Sequence, residues 1–507
     1  MPGSGKSPLV VVGDALLDRD LTGTADRLAP DAPVPVVTEH TRRARPGGAA
    51  LAACLAARDG RDVTLVTGVG DDPASEELRR LLDGRVKVIG LPLTGALPEK
   101  TRVLAQDRPV VRLDRGDGRV RGATEEAREA VRSAPAVLVS DYGRGAADAL
   151  RDVLAERPPV VWDPHPRGGP PVPGTRLVTP ARSEAHAFAA TAQGRHTTGA
   201  PDNGGPPVPG TLPVTPARSE AHAFAATGGD HNTGKAPGSD LRVAAREAAT
   251  LVRHWRVACV AVTMGARGAL LSYGEHPLLV PAPAAHHGDP CGAGDRFAAT
   301  AAGLLADGIL VGEAVEGAVA AASEFVAAGG AGGVADDDSP PTVEKSAETS
   351  ADPDTAPDPH AVIARVRAAG GTVVAAGGCF DLLHAGHVGL LQAARRIGDC
   401  LVVCLNSDAS VRRRKGAGRP VNPLADRIRV LRALACVDAV AVFDEDTPEQ
   451  LLAELRPDVW VKGGDYTGAD LPEAALLQEW GGQAVLLPYL AGRSSTTLLD
   501  RAAEGAR

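Results

Sequence analysis

The sequence predicts two α/β domains, a larger one built on a mainly parallel sheet and a smaller Rossmann-like one, and three observations carry that expectation. Short apolar runs at residues 9–12, 63–66, 136–139, 160–162 and 257–263 alternate with Ala/Leu/Arg-rich stretches of helical length. That is the pattern of parallel strands covered by helices. Residues 336–359 break it with eight acids, five prolines and Val343 as the only aliphatic larger than Ala. Such a segment cannot bury enough apolar surface to offset its ordering entropy, so it reads as a solvated linker. The alternation then restarts, with strands over 372–376, 400–405, 439–443 and 459–462 and helices from about His387 and over 426–435. The expected domains are therefore 1–335 and 360–507, joined by 336–359, although 507 residues at ~150 per domain allow about three.

Composition removes several function classes. A net charge of −9 and 3% aromatic residues provide neither the basic footprint nor the stacking platforms of a nucleic-acid binder. The apolar run at 9–12 is too short for a signal peptide, and no uncharged stretch has the length of a membrane span, so a soluble cytoplasmic protein is expected. Seven cysteines, scattered and without paired zinc spacing, read as reduced, buried thiols. Residues 168–191 recur at 204–227 with 22 of 24 positions identical, a tandem duplication too short to be a solenoid. Copy one keeps Leu177-Val178 where copy two has Pro213-Val214, so copy one is expected in the fold and copy two as a surface insertion.

Gly3-Ser4-Gly5-Lys6-Ser7 imitates the end of a phosphate-binding Walker loop but lacks the glycine five residues before Gly5 and precedes a strand. A stronger motif is Asp289-Pro290-Cys291-Gly292-Ala293-Gly294-Asp295 ahead of a helix-compatible stretch. Small residues at Gly292, Ala293 and Gly294 let backbone N–H groups converge where the helix dipole favours an anion. Asp295 can take the proton of a hydroxyl attacking a phosphoryl group held there, or serve only as a helix cap. Asp14 ends the first strand, where sugar hydroxyls could be held, and Gly47-Gly48 permit close backbone approach.

Together these motifs resemble the ribokinase-like sugar kinases. Residues 32–37 (APVPVV), 100–104 (KTRVL), Ser140-Asp141-Tyr142 and Val262-Thr263 with Gly265 and Gly268 resemble the heptose 7-phosphate kinase branch in particular. The resemblance implies that Asp295 is the base, Gly292 to Gly294 the anion hole, and Asp14, Gly47 and Gly48 sugar-binding. It further implies that Thr263, Gly265 and Gly268 bind nucleotide and that Glu184 acts indirectly on magnesium. Two positions depart from the branch: Leu51 stands where Asn is usual, and Ala181 replaces the Asn three residues before Glu184, as Ala217 does before Glu220.

In the second domain a strand runs into Cys379-Phe380-Asp381-Leu382-Leu383-His384-Ala385-Gly386-His387. Two imidazoles at i and i+3 near a helix start could stabilise charge developing on a nucleotide α-phosphate. A zinc site would need further clustered ligands, and two structural histidines are the plain alternative. Their company is specific: Asn406-Ser407-Asp408, Arg419 to Arg427, Lys462-Gly463-Gly464-Asp465 and Arg493-Ser494-Ser495-Thr496 each fall at a strand end or helix start. The set resembles the cytidylyltransferase-like nucleotidyltransferases with a HxGH signature. That implies His384 and His387 at the reacting phosphate and Phe380, Asp381, Arg427, Lys462, Gly464, Asp465, Ser495 and Thr496 around the nucleotide. Lys415 either meets the triphosphate or belongs to a solvated basic run.

A sugar kinase followed by this transferase resembles the family of bifunctional heptose 7-phosphate kinases and heptose 1-phosphate adenylyltransferases. The implied sequence is C1 phosphorylation of D-glycero-β-D-manno-heptose 7-phosphate, removal of the 7-phosphate by a separate phosphatase, and adenylyl transfer to give ADP-heptose and pyrophosphate. ATP and Mg2+ serve both steps, the partners are small-molecule sugar phosphates, and a homodimer is left open. Two other readings compete: a sugar kinase fused to a CTP-dependent polyol-phosphate cytidylyltransferase, and a degenerate kinase scaffold carrying an active transferase.

Overall fold

A computed structural model describes residues 6–29, 32, 34–105, 108–194, 237–275, 277–283, 288–335, 358–416, 418–463 and 473–487. The chain divides into two compact units, one from Met1–Thr227, Ala248–Ala266 and Ala282–Ser339, the other from Gly228–Glu247, Arg267–Pro281 and Pro340–Arg507.

In the first unit the apolar runs become strands β1 (Leu9–Gly13), β4 (Val63–Val69), β5 (Lys87–Thr94), β9 (Val137–Ser140), β10 (Val161–Asp163), β11 (Leu177–Val178) and β12 (Val260–Thr263). With β8 (Arg119–Val120) they form a sheet in the order β12-β11-β10-β9-β1-β4-β5-β8. Every observed pairing is parallel except β5 with β8. Both faces are covered, which is why β1 and β9 are buried at every position. Ala-rich helices Ala49–Arg58 and Ala293–Ala306 pack together on this sheet, their small side chains allowing close approach.

A second, four-stranded sheet was not legible in the sequence. It has the order β3-β2-β6-β7, from β2 (Ala15–Leu28), β3 (Pro35–Gly48), β6 (Glu99–Ala105) and β7 (Arg108–Arg115). Most of β7 and the middle of β3 are exposed, so these strands carry charged residues in place of apolar runs.

Copy one of the repeat supplies β11 and the helix Arg182–Ala192. Copy two lies outside the described residues, as do residues 336–357 of the expected linker. The last two linker residues are not linker: Asp358 caps the helix Pro359–Ala368, its carboxylate accepting the N–H groups of His360 and Ala361 at 3.3 and 3.2 Å.

The second unit carries β13 (Ala269–Ser272), β14 (Leu278–Val280), β15 (Val373–Gly378), β16 (Cys400–Asn406), β17 (Ala439–Phe443), β18 (Val459–Gly463) and β19 (Gln483–Leu487), in the order β17-β16-β15-β18-β19-β14-β13. Strands β15 to β19 are parallel, and the strand order reverses between β15 and β18. In an open α/β sheet such a reversal leaves a crevice beyond the carboxyl ends of the two strands. All seven cysteines are free, four of them buried. Among the described residues no helix is long and apolar enough to cross a membrane.

Candidate active sites

In the first unit, strand ends deliver the polar groups. Asp14 follows β1, Asp141 and Tyr142 follow β9, Asp163 ends β10 and Thr263 ends β12. Opposite them, Gly292 caps helix Ala293–Ala306 with φ 80°, a left-handed conformation that favours glycine. A Cβ there would also meet Leu51 Cδ2 at 2.7 Å, so Leu51 forms an apolar wall behind the loop. A Cβ at Gly294 would meet nothing within 4 Å, which leaves that side of the helix start open. Asp295, 7% exposed in the first turn, accepts a hydrogen bond from the Tyr142 hydroxyl at Oδ1, 3.0 Å.

Asp14 faces inward. Its Oδ2 accepts the N–H groups of Tyr142 and Arg144 at 3.0 and 2.8 Å, and its Oδ1 that of Ala146 at 3.1 Å. Burial raises its pKa against the pull of these bonds. Asp14 thus shapes the loop that carries Tyr142. Gly48, at φ 56°, lies where a Cβ would meet Asp14 O at 2.7 Å and the Tyr142 ring at 3.2 Å, and a Cβ on Gly47 would strike the Asp18 carboxyl at 2.8 Å.

Asp18 is a site residue that the sequence reading missed. Leu16, Asp18 and Asp20 share one face of β2, and Arg45 binds Asp18 Oδ2 at 2.8 Å and Asp20 Oδ2 at 2.9 Å. Among the described residues Asp18 Oδ1 is buried without a hydrogen-bond partner, and a ligand hydroxyl would satisfy it. Beside it, Cys291 Sγ accepts from Arg45, at 3.6 Å, and from Arg102. Its only sequence signal is a carboxylate in an i, i+2 pattern, which a polar stretch conceals.

Asp163 was missed too, although it repeats the Asp14 signal of a carboxylate after an apolar run. Burial pushes its pKa well up, and the charges of Glu184 and Asp295 push it further. Glu184 Oε2 accepts the Ala181 N–H at 2.8 Å, and Ala181 bridges Thr263. Gly265 and Gly268 both adopt positive φ, 64° and 90°. Among the described residues no three His, Cys, Asp or Glu side chains form a chelating group. Asp163 thus lies within the field of both Glu184 and Asp295, and carboxylates without a chelating group fit a hydrated divalent cation arriving on phosphates better than a chelated one.

In the second unit the HxGH segment follows β15 into the crevice. His384 caps the helix Ala385–Arg395, its Nδ1 accepting the Gly386 N–H at 3.1 Å. In the neutral ring that leaves the proton on Nε2. The His387 ring stacks on it with centroids 3.9 Å apart, and Phe380 meets His387 edge-on at 5.3 Å. Burial, helped by the charges of His384 and Lys415, depresses His387 to about 4. Lys415 Nζ reaches Cys379 Sγ at 3.0 Å.

Asp381 and Arg427, expected at the nucleotide, spend their polar atoms on the protein. Asp381, 1% exposed, accepts the N–H groups of Val421 and Asn422 at 2.7 and 2.9 Å. Arg427, 2% exposed, donates to the carbonyls of Cys379, Asn406 and Asn422 and to Asp408. Both position the strand ends behind the histidines. Lys462 lies at the carboxyl end of β18, 3.6 Å from Glu473. Gly464, Asp465, Ser495 and Thr496 lie outside the described residues.

The chain matches the pfkB family of carbohydrate kinases over residues 6–88 and 175–338 and a cytidylyltransferase-like family over 375–485. The protein named bifunctional protein HldE in Streptomyces coelicolor is 73% identical over 99% of this chain and 98% of its own length. That of Azorhizobium caulinodans is 35% identical over 98% of each. Among solved structures, Arabidopsis thaliana ribokinase complexed with ribose and ATP is 18% identical, with a TM-score of 0.44 over 65% of this chain and 98% of that one.

Proposed function

The chain belongs to the family of bifunctional HldE proteins, and from that premise we propose how its two active sites divide the work. It is an ATP-using bifunctional enzyme, a sugar kinase in residues 1–335 and an adenylyltransferase in residues 358–507, with 336–357 as the connection. The kinase phosphorylates heptose 7-phosphate at C1; a separate phosphatase removes the 7-phosphate; the second domain then transfers the AMP moiety of ATP to heptose 1-phosphate, releasing pyrophosphate. These steps are placed in the cytoplasm, where ATP is supplied.

The observation that carries the kinase step is the Tyr142–Asp295 hydrogen bond beside an open helix N-terminus. Asp295 takes the proton of the attacking C1 hydroxyl, while the N–H groups of Gly292 and Gly294 meet the charge on the transferring phosphoryl group; the Ala293 N–H, expected with them, is held by the Pro290 carbonyl at 3.1 Å. Asp18 Oδ1 accepts a sugar hydroxyl, Gly47 and Gly48 let the sugar approach, and Asp14 holds the Tyr142 loop. Thr263, Gly265 and Gly268 line the nucleotide. Glu184 and Asp163 would hold magnesium through water, and the ion would neutralise phosphate charge.

In the transferase, His384 and His387 donate to the α-phosphate as negative charge builds there. Lys415 and Lys462 meet the outer phosphates, and Asp381 and Arg427 act as positioning residues. The nucleotide is ATP and not CTP, as full-length likeness to HldE proteins favours. The deciding experiment incubates the full chain with heptose 7-phosphate and ATP, and separately with heptose 1-phosphate and either ATP or CTP. Heptose bisphosphate in the first reaction and ADP-heptose with pyrophosphate in the second are expected. Product only with CTP would replace the adenylyl assignment, and no bisphosphate would leave the kinase domain a scaffold.

A further inference from the structure

In the second unit Glu473 opens the helix Glu473–Gln478, which packs on β19. The residue is 5% exposed, yet its Oε2 is buried with no hydrogen-bond partner among the described residues. A helix start favours an acidic residue through its dipole, but that attraction does not require burial. Keeping a carboxylate out of water with one oxygen unsatisfied opposes folding, and an apolar residue there would avoid the cost. Its one ion-pair partner among the described residues is Lys462, whose Nζ lies 3.6 Å from Oε1.

Lys462 stands where a ligand of the crevice would be met. On β18 it follows Val461, which pairs with Ala376 of β15, so it is level with Gly377, where β15 leads into the HxGH segment. Its side chain is 40% exposed against 6% for that of Glu473, so the carboxylate is the fixed partner and the ammonium the reaching one. At 3.6 Å the pair is too long for a hydrogen bond. The carboxylate therefore draws Nζ to one place by charge and leaves its N–H donors for phosphate oxygens. Lys415, the other lysine assigned to the outer phosphates, meets Cys379 Sγ instead.

We propose that Glu473 is a positioning residue for nucleotidyl transfer, holding the Lys462 ammonium at the carboxyl end of β18, ready for the charge that gathers on the departing pyrophosphate. The inference rests on the transferase reading above and adds to it a residue that touches neither substrate. A lysine on an exposed stem loses rotamer freedom when it engages a phosphate. One held beforehand has already lost it, so the benefit falls on the step in which leaving-group charge develops. The same carboxylate repels the triphosphate in the ground state, so it does not serve binding.

The test is a double-mutant cycle on the full chain with Glu473→Gln, Lys462→Met and the two combined, assayed with heptose 1-phosphate and the nucleoside triphosphate that the unaltered chain uses. Glu473→Gln keeps the side-chain shape and should lower kcat about 10-fold, the scale of one charge-assisted contact, without raising the KM for the nucleotide. In the Lys462→Met background it should lower kcat no further. An unchanged kcat for Glu473→Gln, a raised nucleotide KM in its place, or an equal loss in both backgrounds overturns the proposal. If Glu473→Gln does not fold, Glu473→Asp takes its place in the cycle: it keeps the charge but withdraws it by a methylene, and the same dependence on Lys462 decides the proposal. Failure of the underlying reading is separate. An unaltered chain without nucleotidyl transfer, or a Lys462→Met variant with normal kcat, removes the role given to Lys462 and with it any role for Glu473.

Discussion

Tyr142 ties two carboxylates from opposite ends of the first unit's sequence: its hydroxyl donates to Asp295 Oδ1 at 3.0 Å and its backbone N–H to Asp14 Oδ2 at 3.0 Å. The proposed base is thereby oriented by a residue that is itself fixed by the strand-end carboxylate.

Asp295→Asn is expected to lower heptose C1 phosphorylation by about 10²–10⁴-fold, because an amide cannot take the hydroxyl proton. Tyr142→Phe should cost less, about 10-fold in kcat, since it removes one hydrogen bond to a charged group. Adenylyl transfer should be unchanged in both. Steady-state assays of both reactions on each variant check this, and near-normal phosphorylation by Asp295→Asn would remove the base from the mechanism.

His384→Ala and His387→Ala should each reduce adenylyltransferase kcat by about 10²–10³-fold, the scale for one transition-state donor, with ATP binding weakened much less. The kinase reaction on the same samples serves as the folding control. Loss of ATP binding in step with kcat would instead give the histidines a ground-state role.

Asp141 predicts a pH dependence of stability. Burial, then the charges of Asp14 and Asp148, push its pKa from the model-compound 3.8 up to about 7, against the Gly143 N–H and Arg151. The folded state therefore holds a proton that the unfolded state has released, so this group's contribution is intact below about pH 4 and is lost as pH rises to about 7. Asp141→Asn should stabilise the protein at pH 8, on the order of 2–4 kcal/mol, and change little at pH 4. Urea unfolding at the two pH values measures it, and an equal effect at both would contradict the titration.

Arg427→Met should destabilise the transferase domain by about 3–5 kcal/mol, because three carbonyls, that of Asn406 buried, and the Asp408 carboxylate lose their donor together. Thermal unfolding should show an earlier transition with kinase activity retained below it. A variant with unchanged unfolding but a raised KM for ATP would return Arg427 to the nucleotide.

The parts read most directly from sequence were those in which one residue type has one physical use. Buried parallel strands need unbroken apolar runs, so β1, β4, β9, β10, β12 and β15 to β18 stood out. Gly292 must be glycine where φ is 80°, and a histidine pair next to a helix start is rare enough to mark a site. The exposed sheet of β2, β3, β6 and β7 was hidden because a strand with one solvated face and many charges lacks the apolar signature.

By itself the sequence determined two α/β domains, an acidic Pro-rich segment between them, and the chemistry of phosphoryl and nucleotidyl transfer. Only the tertiary structure decided which polar residues point outward to a ligand and which are consumed within. Asp14, Asp381 and Arg427, expected as ligand groups, hold loops, while Asp18, which the sequence reading passed over, has a buried carboxylate oxygen with no hydrogen-bond partner among the described residues. The reason is physical: a side chain's composition states which bonds it can make, but its partners come from segments as far apart as residues 14 and 142 or 142 and 295, and only folding brings them within hydrogen-bond reach.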